Sequence, residues 1–305
     1  MFWVQLVVLL ETRTATAEAD LATAALASPR PRECRGAAAG MGGLWVRARE
    51  GDAQRFCDLV ARGYARLQQT PADALAAAQA AEALAGEVAP VRVLKGRAQL
   101  RLGQAPAALE QFKQAESEDA QAFLDPKALH DYARAASLAG QPLDAVRLYR
   151  MLVSRSALLD DVREKSLVQI EAAAHVLSYA QGGSDEALGY LAQARREALG
   201  LSPWITGLQV LIAERNGRAE STLGSNALPS LASLAQPLSG AGGESPLLPA
   251  GELDALRAVL TESSDPSQSG NYYARFLAHA RRENVWLGQA QKKHVEPAPG
   301  KGKAR

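Results

Sequence analysis

The chain has 305 residues, 47% of them apolar, enough to bury one elongated array or two small domains. A formal net charge of +1 argues against general affinity for nucleic acid or a membrane surface. Aromatic residues are scarce at 5% while Ala is abundant, which suits close helix–helix contact and suits strand cores poorly.

Arg far outnumbers Lys, and with the Ala richness this is the mark of GC-rich coding. The first 44 residues predict either a signal segment or a disordered leader. Val4–Leu10 is an apolar run far too short to span a bilayer. It fits the h-region of a secretory signal, with Ala15-Thr16-Ala17 or Ala25-Leu26-Ala27 as the small-x-small cleavage site, and residues 1–27 would then direct the chain to a bacterial periplasm or envelope. Against this, no Lys or Arg precedes the run and Glu11 follows it at once. A start at Met41 would instead leave the protein in the cytoplasm. The two cysteines, Cys34 and Cys57, lie in dissimilar surroundings and predict neither a disulfide framework nor a metal cluster.

From Asp52 the pattern is helical: Phe56, Leu59, Val60, Gly63 and Leu67 recur at three- and four-residue spacings. Thr70-Pro71, Asp125-Pro126 and Ser202-Pro203 each read as a cap followed by Pro at the first helical position. The spacing predicts helical hairpins over 52–85, 88–118, 126–155 and 160–198, and a weaker one over 203–224 that turns at Asn216-Gly217. One frame recurs through them. Gly103–Ala108–Phe112–Ala115, Gly140–Ala145–Tyr149–Leu152 and Gly182–Ala187–Leu191–Ala194 all place Ala five residues after Gly and a large apolar residue four further on. A copy without its Gly runs Ala74–Ala78–Ala81, and Ala74 lies 34 residues before Ala108. A period in the thirties means stacked helical hairpins.

Residues 225–251 turn to Ser, Ala, Leu, Pro and Gly and predict a linker. Residues 252–295 resume helical faces, with Leu253, Leu256, Val259 and Leu260, then Tyr272, Tyr273, Phe276 and Trp286, and predict a helical cap on the last hairpin. Residues 296–305 read as a disordered basic tail. From Arg275 onward eight basic residues stand against two acids, Glu283 and Glu296.

The repeated frame resembles the tetratricopeptide repeat. The second copy matches it best, with Gly96, Gly103, Ala108, Phe112 and Ala115 at the family's spacing. The third has Ala133, Gly140, Ala145 and Tyr149, with Leu152 in place of the last small residue. The fourth keeps Gly182, Ala187 and Ala194, and puts His175 at the small position of its first helix, or Ala174 if that helix is shifted by one. The family's Trp and early Leu-Gly pair are largely absent. The resemblance covers residues 55–198 and, less fully, 199–224. It implies an all-α, right-handed α-solenoid of four to five hairpins whose concave groove is lined by first-helix residues. On that frame Arg97 and Arg101 fall at the ninth and thirteenth positions of their repeat. His130 and Arg134 fall at the fifth and ninth of the next, and Arg66 at the twelfth of the first. The resemblance thus implies a basic stripe able to hold a carboxylate or an acidic peptide. The fourth copy offers Ala172 and Val176 at these positions.

No catalytic motif is present: no phosphate loop, nucleophile elbow, His-Glu-x-x-His or Cys-x-x-Cys. His130, His175, His279 and His294 are scattered, without metal-ligand spacing on a shared helix. Asp160-Asp161 reads as a helix cap. The expectation is a non-enzymatic scaffold or adaptor with no cofactor and no metal, binding a protein or peptide partner in the groove. The alternative is a nucleic-acid or regulatory binder using the basic stripe and tail.

Overall fold

The computed structural model describes Cys34 and residues 44–197, 202–217, 246–262 and 265–295. Among these residues it is all-helical, with twelve α-helices and no strand. They are α1 (Leu44–Arg66), α2 (Pro71–Ala85), α3 (Ala89–Arg101), α4 (Ala105–Glu118), α5 (Pro126–Leu138), α6 (Pro142–Val153), α7 (Val162–Tyr179), α8 (Ser184–Glu197), α9 (Ser202–Arg215), α10 (Glu252–Thr261), α11 (Pro266–His279) and α12 (Leu287–Val295). Short 3-10 turns at Ala120–Phe123 and Ser156–Leu158 precede α5 and α7. The second helix of the hairpin expected over 203–224, most of the expected linker, the leader and the basic tail lie outside the described residues.

The ends of these helices follow from local chemistry. Pro stands in the first turn of α2, α3, α4, α6 and α11, where its missing N–H leaves no hydrogen bond unmade. Asp161 caps α7 by accepting from the Arg163 amide at 2.8 Å, and Asp125 accepts from Lys127 N at 3.0 Å at the start of α5. Thr70 makes no side-chain cap bond, so α2 starts on its proline alone. At the turns after α3, α5 and α7, Gly103, Gly140 and Gly182 take φ of 76°, 77° and 67°, a conformation that costs any other residue strain.

The chain forms two compact units, residues 1–135 and 136–305. In the first, α1 packs on α2, α2 on α3 and α3 on α4. Phe56, Val60, Leu67, Ala74, Ala78, Ala81, Val91, Leu94 and Ala98 make one buried cluster. The Ala-rich face of α2 lets helix axes approach closely. Further along, Phe112 lies against Gly96, where an added Cβ would stand 2.7 Å from the ring.

In the second unit α6 packs on α7, α7 on α8 and α9, and α9 on α10, with α11 and α12 following. Its core joins Leu167, Ile170, Ala174, Leu177, Ala187, Leu191 and Ala194 to Trp204, Leu208, Leu256, Phe276 and Trp286. Every residue of α7 from Ser166 to Tyr179 is buried, because the helix is packed on all sides.

Cys34 and Cys57 form a disulfide with a Cα–Cα distance of 5.7 Å. This corrects the expectation of no disulfide. Dissimilar sequence neighbours say nothing about distance in space, and both cysteines rest against the cluster built on Phe56 and Val60.

Candidate functional site

The first-helix residues singled out from the sequence meet different fates. In the first unit, α3 presents Arg97 and Arg101 to Asp131 on α5. Arg97 Nε donates to Asp131 Oδ2 at 2.7 Å, Arg101 Nη1 stands 3.0 Å from Oδ1, and Asp125 lies 3.7 Å from Arg97 Nη1. The Arg97 guanidinium also sits over the Tyr64 ring, 5.7 Å from its centroid. Arg97 is 7% exposed and Asp131 3%. Burial alone would raise the Asp131 pKa, but the Arg97 and Arg101 charges overcome it and hold the carboxyl below its ordinary range. Burial likewise pushes the Tyr64 hydroxyl up.

The carboxylate that these arginines were expected to hold is therefore supplied by the chain itself. His130 is buried beside them, and Arg134 is half-buried; each has a partner. Arg66 stands apart from the cluster, in an exposed ion pair with Asp73 at 3.3 Å. The predicted basic stripe is thus charge-balanced by internal carboxylates at buried Arg97 and half-buried Arg101, and at Arg66 it is an exposed ion pair.

In the second unit the polar groups gather on α7. His175 Nδ1 lies 2.7 Å from the Glu171 carbonyl oxygen and Nε2 lies 2.7 Å from Ser137 Oγ. A carbonyl only accepts, so Nδ1 carries the proton and Nε2 accepts from the Ser137 hydroxyl. Burial pushes the His175 pKa down, partly offset by the bond to Glu171, so the ring is neutral. It stacks on Tyr149, centroids 4.5 Å apart. Glu171, fully buried, accepts from Tyr149 Oη at 2.8 Å through one oxygen and from the Leu247 amide at 2.8 Å through the other.

One residue from the end of the helix, the Ser178 carbonyl accepts from Val285 N at 2.9 Å. Glu252, 1% exposed, completes the arrangement. It holds Arg215 at 2.6 Å and Asn284 at 2.8 Å, while Arg215 lies over the Trp286 ring, 4.9 Å from its centroid.

Helix lengths explain why the sequence pointed elsewhere on α7. Gly103 and Gly140 follow the last residues of α3 and α5 by two positions, whereas Gly182 follows Tyr179 by three. Counting back from the helix ends, His175 is the counterpart of Arg97 and Arg134, and Glu171 that of His130. Ala174 packs in the core with Ala187 and Leu191. The shifted alternative for this helix fits, so Glu171 and His175 replace Ala172 and Val176 on the presenting face. Glu171, Ser178 and the segment around Leu247 escaped sequence reasoning, which had only the extra residue before Gly182 as a signal.

Among the described residues no group of His, Cys, Asp and Glu could hold a metal ion, and no helix is long and apolar enough to cross a membrane. No family model and no curated protein matches the chain.

Proposed function

We propose that the chain is a non-catalytic, tetratricopeptide-like adaptor, a right-handed α-solenoid of helical hairpins that binds a protein or peptide on its first-helix face. The observation that carries this is the repetition of one hairpin geometry. Three first helices end in glycines of nearly equal positive φ, at 103, 140 and 182. The Ala five residues after each, at 108, 145 and 187, is fully buried. Hairpins of one repeated geometry are the building unit of helical arrays, and the first-helix faces of such arrays bind extended partners.

The charge balance at Asp131 shapes the proposal. With Arg97 and Arg101 committed to internal carboxylates, affinity comes from apolar anchors and main-chain hydrogen bonds, and exposed charge sets orientation and on-rate. An acidic partner is not required.

The test is affinity capture from source-cell lysate on the immobilised full chain, washed at low and at high salt. A protein partner retained through the high-salt wash supports an adaptor with apolar anchoring, since screening leaves such contacts intact. Retention of nucleic acid alone, eluting steeply with salt, would overturn it. An experimental structure of the chain tests the handedness of the array.

A further inference from the structure

Leu247 and Glu171 lie 76 residues apart, and the bond between them joins a main-chain N–H to a carboxylate buried on a helix face. Residues 246–249, Pro-Leu-Leu-Pro, have no regular secondary structure; both prolines are buried, and Leu248 packs against the core of the second unit. Proline fixes its own φ and biases the residue before it toward extended backbone, so this segment loses little entropy on docking. Glu171 is oriented in advance by Tyr149. Further along the same face, Ser178 receives a second main-chain amide, from Val285. Capture of main-chain amides beside apolar side chains is how a groove recognises an extended peptide.

We infer that this face of α7 is a peptide site filled by the chain's own 246–249 segment, and that its partner is an extended aliphatic peptide bracketed by prolines, which offers an N–H to Glu171 and displaces that segment. The inference rests on the peptide-binding function proposed above and names the site and the chemistry of its ligand. The tethered segment competes at high effective concentration, so a free peptide sees an affinity lowered by the small fraction of open molecules. An acidic residue at the Leu247 position is excluded, because it would bring a second carboxylate against Glu171.

The test uses the full chain and a fluorescent peptide of residues 244–251, Glu-Ser-Pro-Leu-Leu-Pro-Ala-Gly, with a twin N-methylated at the first Leu. Leu247→Pro removes the tethered donor while keeping the segment apolar and extended. This variant should bind the peptide about tenfold or more tighter than the wild type, because the segment no longer competes fully. The N-methylated twin should bind both chains far more weakly. Equal affinity of the two folded chains, or equal binding of the twin, overturns the inference.

Should Leu247→Pro fail to fold, the wild type decides. Saturating peptide should speed hydrogen exchange over residues 246–252 while α7 stays protected, and unchanged exchange overturns the inference. Capture run in parallel separates two failures. A chain that retains a protein partner but ignores the peptide binds through another surface. A chain that retains no partner and ignores the peptide is not an adaptor.

Discussion

Arg97 and Asp131 lie 34 residues apart, and the guanidinium of one meets the carboxylate of the other at 2.7 Å with both side chains buried. That separation equals the interval from Ala74 to Ala108, so the pair joins one hairpin to the next. Removing one member leaves the other charge buried and uncompensated. Asp131→Ala should therefore cost about 3–5 kcal/mol in urea unfolding. Arg97→Met together with Asp131→Leu should recover part of that loss, since neither of these charges then remains buried, while Arg101 and Asp125, which also lose a partner, are each partly exposed to water. A double variant as unstable as Asp131→Ala would show that the pair is not what couples these hairpins.

Gly96 carries a second packing constraint. An added Cβ would meet the Phe112 ring at 2.7 Å, and that ring is pinned by Phe123 and Tyr132, with centroids 5.8 and 5.4 Å away. Ala is the better helix former, yet here the ring cannot move aside, so Gly96→Ala should destabilise by about 1–3 kcal/mol. Phe112→Leu should make the same substitution less harmful, measured as a coupling in a double-mutant cycle. A stabilising Gly96→Ala would mean that the helices separate without cost.

The contrast between these two positions shows what was legible in the sequence. Gly96, Gly103, Ala108 and Phe112 declare themselves by spacing, because helix periodicity converts sequence offsets directly into shared faces. The helix pairs over 88–118 and 160–198 were readable for the same reason. Arg97 could be placed on a face, but its fate depended on Asp131 in the next hairpin, and no local rule couples the two. Cys34 and Cys57, and Leu247 and Glu171, are long-range pairs of the same kind. On α7 the difficulty was one residue: Gly182 follows its helix by three positions instead of two, which turned the presenting face from Ala172 and Val176 to Glu171 and His175.

His175 should make the protein sensitive to mild acid. Groups facing it are the Ser137 hydroxyl, the Tyr149 ring, the Glu171 carbonyl and, at longer range, the carboxylates of Glu171 and Glu252. Burial outweighs the carboxylates and lowers its pKa in the fold. The unfolded chain then binds a proton more readily than the folded one, so this stability is fully present above the unfolded value of about 6.5 and is lost as pH falls toward the lower folded value. Urea midpoints measured from pH 8 to 5 should fall below about pH 6.5, and His175→Gln should flatten that part of the profile. An unchanged slope in the variant would assign the proton to another group.

The disulfide makes the last prediction, and it bears on where the protein works. Cys34 and Cys57 are the chain's two cysteines, and their bond ties residue 34 to α1. Such bonds persist in oxidising compartments and are rare where glutathione and thioredoxin keep thiols reduced. Protein purified from its source without reductant should show no thiol under denaturing conditions, and two after reduction. Reduction, or Cys57→Ser, should lower stability by about 3 kcal/mol, the loop-closure value for a span of this order. Should the thiol measurement show the bond in the native protein, Cys34 belongs to that protein, and a leader cleaved at Ala15-Thr16-Ala17 or Ala25-Leu26-Ala27 would leave it in place. Two free thiols in the native protein would reverse the argument and leave a start at Met41 open.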